Sequence, residues 1–70
     1  MHTYTVRKYQ TVEMVVETVV KSYRELKRDE AIDFVANYRK EDGVEVGEDQ
    51  RVHILETVTE EHYEVRSNRP

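Results

Sequence analysis

The sequence predicts a small α+β domain: an antiparallel sheet of three to four strands with one helix packed on one face, in the order β-β-α-β-(β). Three observations lead there. Stretches rich in Val, Thr and Tyr occupy residues 3–9, 12–21 and 51–59. One helical stripe, Ala31, Phe34, Val35 and Tyr38, stands between the second and third of them. The length of 70 residues allows one domain, and so short a chain buries only about 60% of its unfolded surface, which leaves a thin core.

The segment TYTVRKY (3–9) alternates apolar and polar residues and reads as a strand. Residues 12–21 admit two readings. As a strand, Met14, Val16, Thr18 and Val20 share one face; as a helix, Val12, Val15, Val16, Val19, Tyr23 and Leu26 form a stripe. Five valines and two threonines within 11–20 favour the strand. The connection at Gln10-Thr11 lacks Gly, Asn and Asp and reads as a bulge in one bent strand rather than a tight hairpin.

RDEAIDFVANYRK (28–40) reads as the main helix. Asp29 and Glu30 fall in its first turn, Arg39 and Lys40 in its last, and Gly43 is a natural stop beyond it. EDGVEVGEDQ (41–50) holds both glycines and five acids and reads as a loop with a short extended piece at Val44–Val46. In the strand at 51–59, Val52, Ile54 and Val58 point one way and His53, Leu55 and Thr57 the other. A short last strand, HYEVR (62–66), follows a turn at Glu60-Glu61. The domain then covers 1–66, and 67–70 is a frayed tail.

One helix covers one sheet face. That face is expected to hold Tyr4, Val6, Met14, Val16, Val20, Val52, Ile54 and Val58 against Ala31, Phe34, Val35 and Tyr38. Tyr9, Val15, Val19 and Leu55 are left on the open face, where an apolar patch marks a contact site; they are the expected surface of a homodimer.

The net charge of −4 is unevenly spread. Residues 1–40 carry eight bases and six acids, and residues 41–70 carry nine acids and three bases. The acids Glu41, Asp42, Glu45, Glu48, Asp49, Glu56, Glu60, Glu61 and Glu64 are expected along one end and edge of the sheet, with Glu48, Asp49, Glu60 and Glu61 crowning two turns. Duplex DNA carries about one charge per 1.7 Å of axis, and a carboxylate row can imitate it toward a basic groove. The acidity argues against a general nucleic-acid binder, so the expected partner is a basic, nucleic-acid-binding protein.

Catalytic patterns are missing. Cysteine is absent, Ser22 and Ser67 sit in no GxSxG elbow, and two glycines cannot build a phosphate loop. His53 and Glu56 have opposite parity on a strand and cannot share a metal. The expectation is a non-enzyme without catalytic, cofactor or metal residues. No apolar run approaches the roughly 18 residues of a membrane span, and MHTYTVRKYQ is not a signal peptide. No membrane contact and a cytoplasmic location are therefore expected.

The run of a Val/Tyr strand pair, RDEAIDFV with Glu30-Ala31-Ile32, then VHILETV and HYEV, resembles the small strand–strand–helix–strand proteins of phages and plasmids, the DpnD/PcfM-like group among them. The resemblance implies a host-takeover factor that works in the host cytoplasm on RNA polymerase, nucleoid proteins or defence enzymes. With the acidic surface, it leads to an inhibitor that occupies the basic surface of a histone-like nucleoid protein, or next RNA polymerase, as a DNA mimic. The alternative is an antitoxin-like or accessory subunit that docks a partner through its apolar sheet face.

Overall fold

The computed structural model describes residues 1–10, 14–53 (His53 by its backbone) and 60–68. The chain forms β1 (His2–Gln10), β2 (Met14–Ser22), α1 (Arg28–Ala36), β3 (Val44–Val46), β4 (Gln50–His53) and β5 (His62–Asn68). All strands join one antiparallel sheet in the order β3-β2-β1-β5, with β4 paired to β2 beside β3. The helix packs on one face. The α+β class is as the sequence predicts, and both short acidic-region strands belong to the sheet.

Residues 14–22 are a strand, as their valines and threonines require. β1 and β2 are separate strands of an antiparallel pair, Gln10 opposite Met14 and His2 opposite Ser22. This corrects the expectation of one bent strand. Each strand alone leaves a row of unpaired backbone groups, and pairing them satisfies both rows.

Cross-strand pairing sorts the faces. Tyr4, Val6, Val20 and Thr18 lie toward the helix and are buried, and Leu26, Ala31 and Phe34 close over them. Val65 of β5 and Val44 of β3 pack at the margins. The buried polar groups are paired, as they must be. The Tyr4 hydroxyl accepts from the Leu26 N–H at 2.7 Å, and the Ser22 hydroxyl accepts from the Arg24 N–H at 3.2 Å. The Tyr4 bond fixes the chain where it leaves the sheet for α1.

The helix is shorter than predicted. At its start, the Glu30 carboxylate reaches back to the Lys27 N–H at 3.2 Å, one half of a capping box. It ends at Ala36, where the Asn37 N–H bonds the Asp33 carbonyl and Tyr38 turns left-handed at φ 51°. Arg39 and Lys40 therefore lie beyond the last turn. Tyr38, expected in the core, is 83% exposed.

A bulge explains the other misplaced residue. Partner numbers sum to 66 along β2–β3 (Val20 with Val46) and to 67 along β2–β4 (Val16 with Arg51). One extra residue is thus inserted at 47–49, and it reverses side-chain parity. Val52 pairs with Val15 on the open face instead of entering the core, and Arg51 takes the helix side. Gly47 suits the bulge because a Cβ there would come 3.2 Å from the Val19 carbonyl oxygen, which its N–H bonds at 2.8 Å. β5 runs through Asn68, two residues into the expected tail, held by the Asn68 amide donating to Thr5 at 2.8 Å. Ile54, Leu55, Glu56 and Val58 lie outside the described residues.

Candidate protein-binding groove

Between the end of α1 and β3 runs an open groove of about 530 Å³. Its floor is Phe34, Val35, Val44 and Val46; Tyr38, Arg39 and Asp49 stand around it. The floor is apolar because the helical stripe and the helix-side residues of β3 meet there. The groove stays open because α1 stops at Ala36 and the chain leaves through Tyr38. A left-handed residue with a Cβ costs about 1–2 kcal/mol. Tyr38 directly follows the C-cap Asn37, the position at which helices commonly end in this conformation, and its ring is left exposed to solvent.

An ion-pair network braces the groove. The Arg24 guanidinium donates to Glu41 at 2.9 and 3.1 Å and to Glu30 at 2.8 Å. Arg39 bridges Asp33 and Glu41, each at 3.3 Å, and lies 4.8 Å above the Phe34 ring centre. The loop after α1 is thereby tied to both ends of the helix. The guanidinium of Arg24 holds the Glu41 and Glu30 carboxyls below the usual carboxylate range, with the Lys27 N–H adding to the effect on Glu30. The same bonds raise Arg24, Glu41 contributing first.

A pH dependence follows. Both glutamates have folded pKa values below their unfolded ones, so their contribution is complete above the ordinary glutamate range and is lost as pH falls through the folded values. Acid titration followed by carboxyl chemical shifts is expected to place both below other exposed glutamates, with Tyr23 and Val44 amides losing protection over that window. Arg24→Ala is expected to return both to the ordinary range; a Glu41 that titrates normally in the wild type contradicts the network.

The nine predicted acids do not form one row. Asp42, Glu45 and Glu48 are exposed on the β3 edge with no ion-pair partner among the described residues. Glu41 is committed to Arg24 and Arg39. Asp49 accepts from the buried Thr18 hydroxyl at 2.5 Å and anchors the bulge. Glu60, Glu61 and Glu64 belong to the β5 side, and Glu64 accepts from the Tyr9 hydroxyl at 3.0 Å. β3 and β5 are opposite edges, three strand spacings apart, or roughly 14 Å. The expectation of one acidic edge is corrected; the topology splits it. Glu56 lies outside the described residues.

The open-face patch is also dispersed. Tyr9 stacks on His62 with ring centres 4.6 Å apart. Val15 is 2% exposed and Val19 39%, and between them Glu17 pairs with Arg7 at 2.6 Å. Leu55 lies outside the described residues. Alternation placed all three described residues on this face, but Arg7 and Glu17 interrupt the apolar surface. Among the described residues, no cluster of three His, Asp or Glu could hold a metal ion. The groove escaped the sequence reading because Tyr38 matches the helical stripe; the signal for an early stop was Asn37, a common residue at helix ends.

No protein-family model, curated protein or solved structure matches this chain.

Proposed function

We propose that this protein is a non-catalytic binding protein that occupies a basic surface of a partner protein through the α1–β3 groove and the acidic β3 edge beside it. The observation that carries the reading is the juxtaposition of an apolar floor and an exposed Tyr38 with the β3 edge, where Asp42, Glu45 and Glu48 are exposed without ion-pair partners among the described residues, Glu45 on the face away from the groove and opposite Lys21. Apolar and aromatic contacts supply affinity, and the carboxylates supply orientation and a fast encounter. Arg24 and Arg39 hold Glu41 in place beside the groove, which suits a rigid docking surface. In the phage setting that the resemblance implies, a histone-like nucleoid protein is the first target and RNA polymerase the next.

The test is competition. Labelled duplex DNA bound to a purified bacterial histone-like protein is titrated with this protein. Displacement that weakens steeply between low and moderate salt is expected, because screening shortens the reach of the carboxylates. An unchanged DNA complex at a large excess contradicts the histone-like target; the same titration of RNA polymerase on promoter DNA then tests the second.

A further inference from the structure

The sheet has two edges of different character. The β3–β4 edge is broken by the bulge into pieces of three and four residues, a usual defence against strand pairing. β5 is seven residues long, regularly paired to β1 from Thr3–Asn68 to Tyr9–His62, and no described strand lies on its outer side. The hydrogen-bond phase of that outer side can be read across the sheet. The Val19 carbonyl points at Gly47, away from β1. In an antiparallel ladder the groups of alternate residues point to opposite sides. Val19 faces Thr5 and Thr5 faces Arg66, so Thr5 and Arg66 bond each other. Tyr63, Val65 and Ser67 consequently turn their N–H and C=O groups outward. The Tyr63 carbonyl agrees, since it accepts from the Arg28 guanidinium at 2.8 Å.

We propose that this edge pairs with the β5 edge of a second copy, antiparallel about a two-fold axis through Val65, to give one continuous ten-stranded sheet. Outward residues must oppose outward residues, which allows only registers in which 63, 65 and 67 meet 63, 65 and 67 of the partner. Charge then selects among them. With Val65 opposite Val65, Glu64 of each copy faces Arg66 of the other, twice, while Tyr63 faces Ser67. A slip of two pairs' worth in one direction sets Glu64 on Glu64, and in the other Arg66 on Arg66. The favoured register makes six backbone hydrogen bonds and two cross-strand ion pairs. Arg66 is exposed and has no ion-pair partner among the described residues, so it is free for the role. Glu64 accepts from Tyr9 through one oxygen and lies 3.7 Å from His62 through the other, and each oxygen keeps a further lone pair for the partner's Arg66. Arg28 uses one lone pair of the Tyr63 carbonyl, and the second remains for the partner's Ser67 N–H. The copy contact lies across the sheet from the groove, so the two proposals stand or fall separately.

Sedimentation equilibrium and concentration-dependent amide exchange test the pairing. Wild type is expected to approach twice 8.4 kDa as concentration rises into the high micromolar range, with Tyr63, Val65 and Ser67 amides gaining protection together. Glu64→Arg alone and Arg66→Glu alone place like charges opposite each other and are expected to weaken association at least about tenfold. The double variant Glu64→Arg/Arg66→Glu exchanges the signs and is expected to restore it. A wild type that stays at 8.4 kDa overturns the proposal. So does a dimer indifferent to the single reversals, or one that the double variant fails to restore.

Discussion

Phe34→Ala leaves a large part of the chain unfolded at 37 °C. Phe34 is the only phenylalanine, is 1% exposed, and is the one large side chain by which α1 fills the sheet face formed by Tyr4, Val6 and Val20. Truncation of a buried phenylalanine costs about 3–5 kcal/mol, since the transfer loss and the residual cavity add. A domain of 70 residues has roughly 4–10 kcal/mol of stability in total. Arg39 also loses the ring it covers. Urea denaturation followed by far-ultraviolet circular dichroism is expected to show a midpoint much reduced, with Phe34→Leu between the two. A midpoint equal to that of wild type contradicts the packing.

Reversal of the acidic β3 edge, Asp42→Lys with Glu45→Lys and Glu48→Lys, is expected to weaken the proposed partner binding more than tenfold and to leave the fold intact. The three side chains are exposed; Asp42→Lys and Glu48→Lys are each expected to change stability by no more than about 0.5 kcal/mol, and Glu45→Lys, which sets a lysine opposite Lys21, costs about 0.2–1 kcal/mol. One exposed ion pair is worth only about 0.2–1 kcal/mol. Three attractions turned into three repulsions give more than a tenfold loss, chiefly in the association rate. Asp49 behaves differently. Asp49→Lys removes the acceptor of the buried Thr18 hydroxyl and damages the bulge itself, so a loss of binding there reports folding rather than contact.

Most of the architecture was legible because it follows from periodicity. β1 and β5 alternate, the valines and threonines of β2 decide a stretch that periodicity leaves open, and Ala31, Phe34 and Val35 mark a helix whose stripe has one place to go. The rest depends on contacts that spacing does not encode. The bulge adds a single residue near Gly47, and that residue sends Val52 to the other face; a glycine within an apparent loop gives no sign of it. Glu41 looked like one more loop acid, yet Arg24, 17 positions earlier, claims it. Local rules reveal charge pairs three or four apart on a helix and are silent about such a partner. The acidic row divided for a topological reason. The chain passes from β4, beside β2, to β5, beside β1, and so carries Glu60, Glu61 and Glu64 to the far edge.

If contact with a basic partner runs through the β3 edge, displacement of labelled DNA from a histone-like protein distinguishes three proteins. Wild type is expected to displace the DNA. The triple reversal at Asp42, Glu45 and Glu48 is expected to fail while its circular dichroism spectrum at the assay temperature stays that of wild type. Glu60→Lys with Glu61→Lys, on the opposite side of the sheet, is expected to displace the DNA as wild type does. If the triple variant competes as well as wild type, or the β5-side variant is the one that fails, the α1–β3 groove and the β3 edge beside it are not the binding surface.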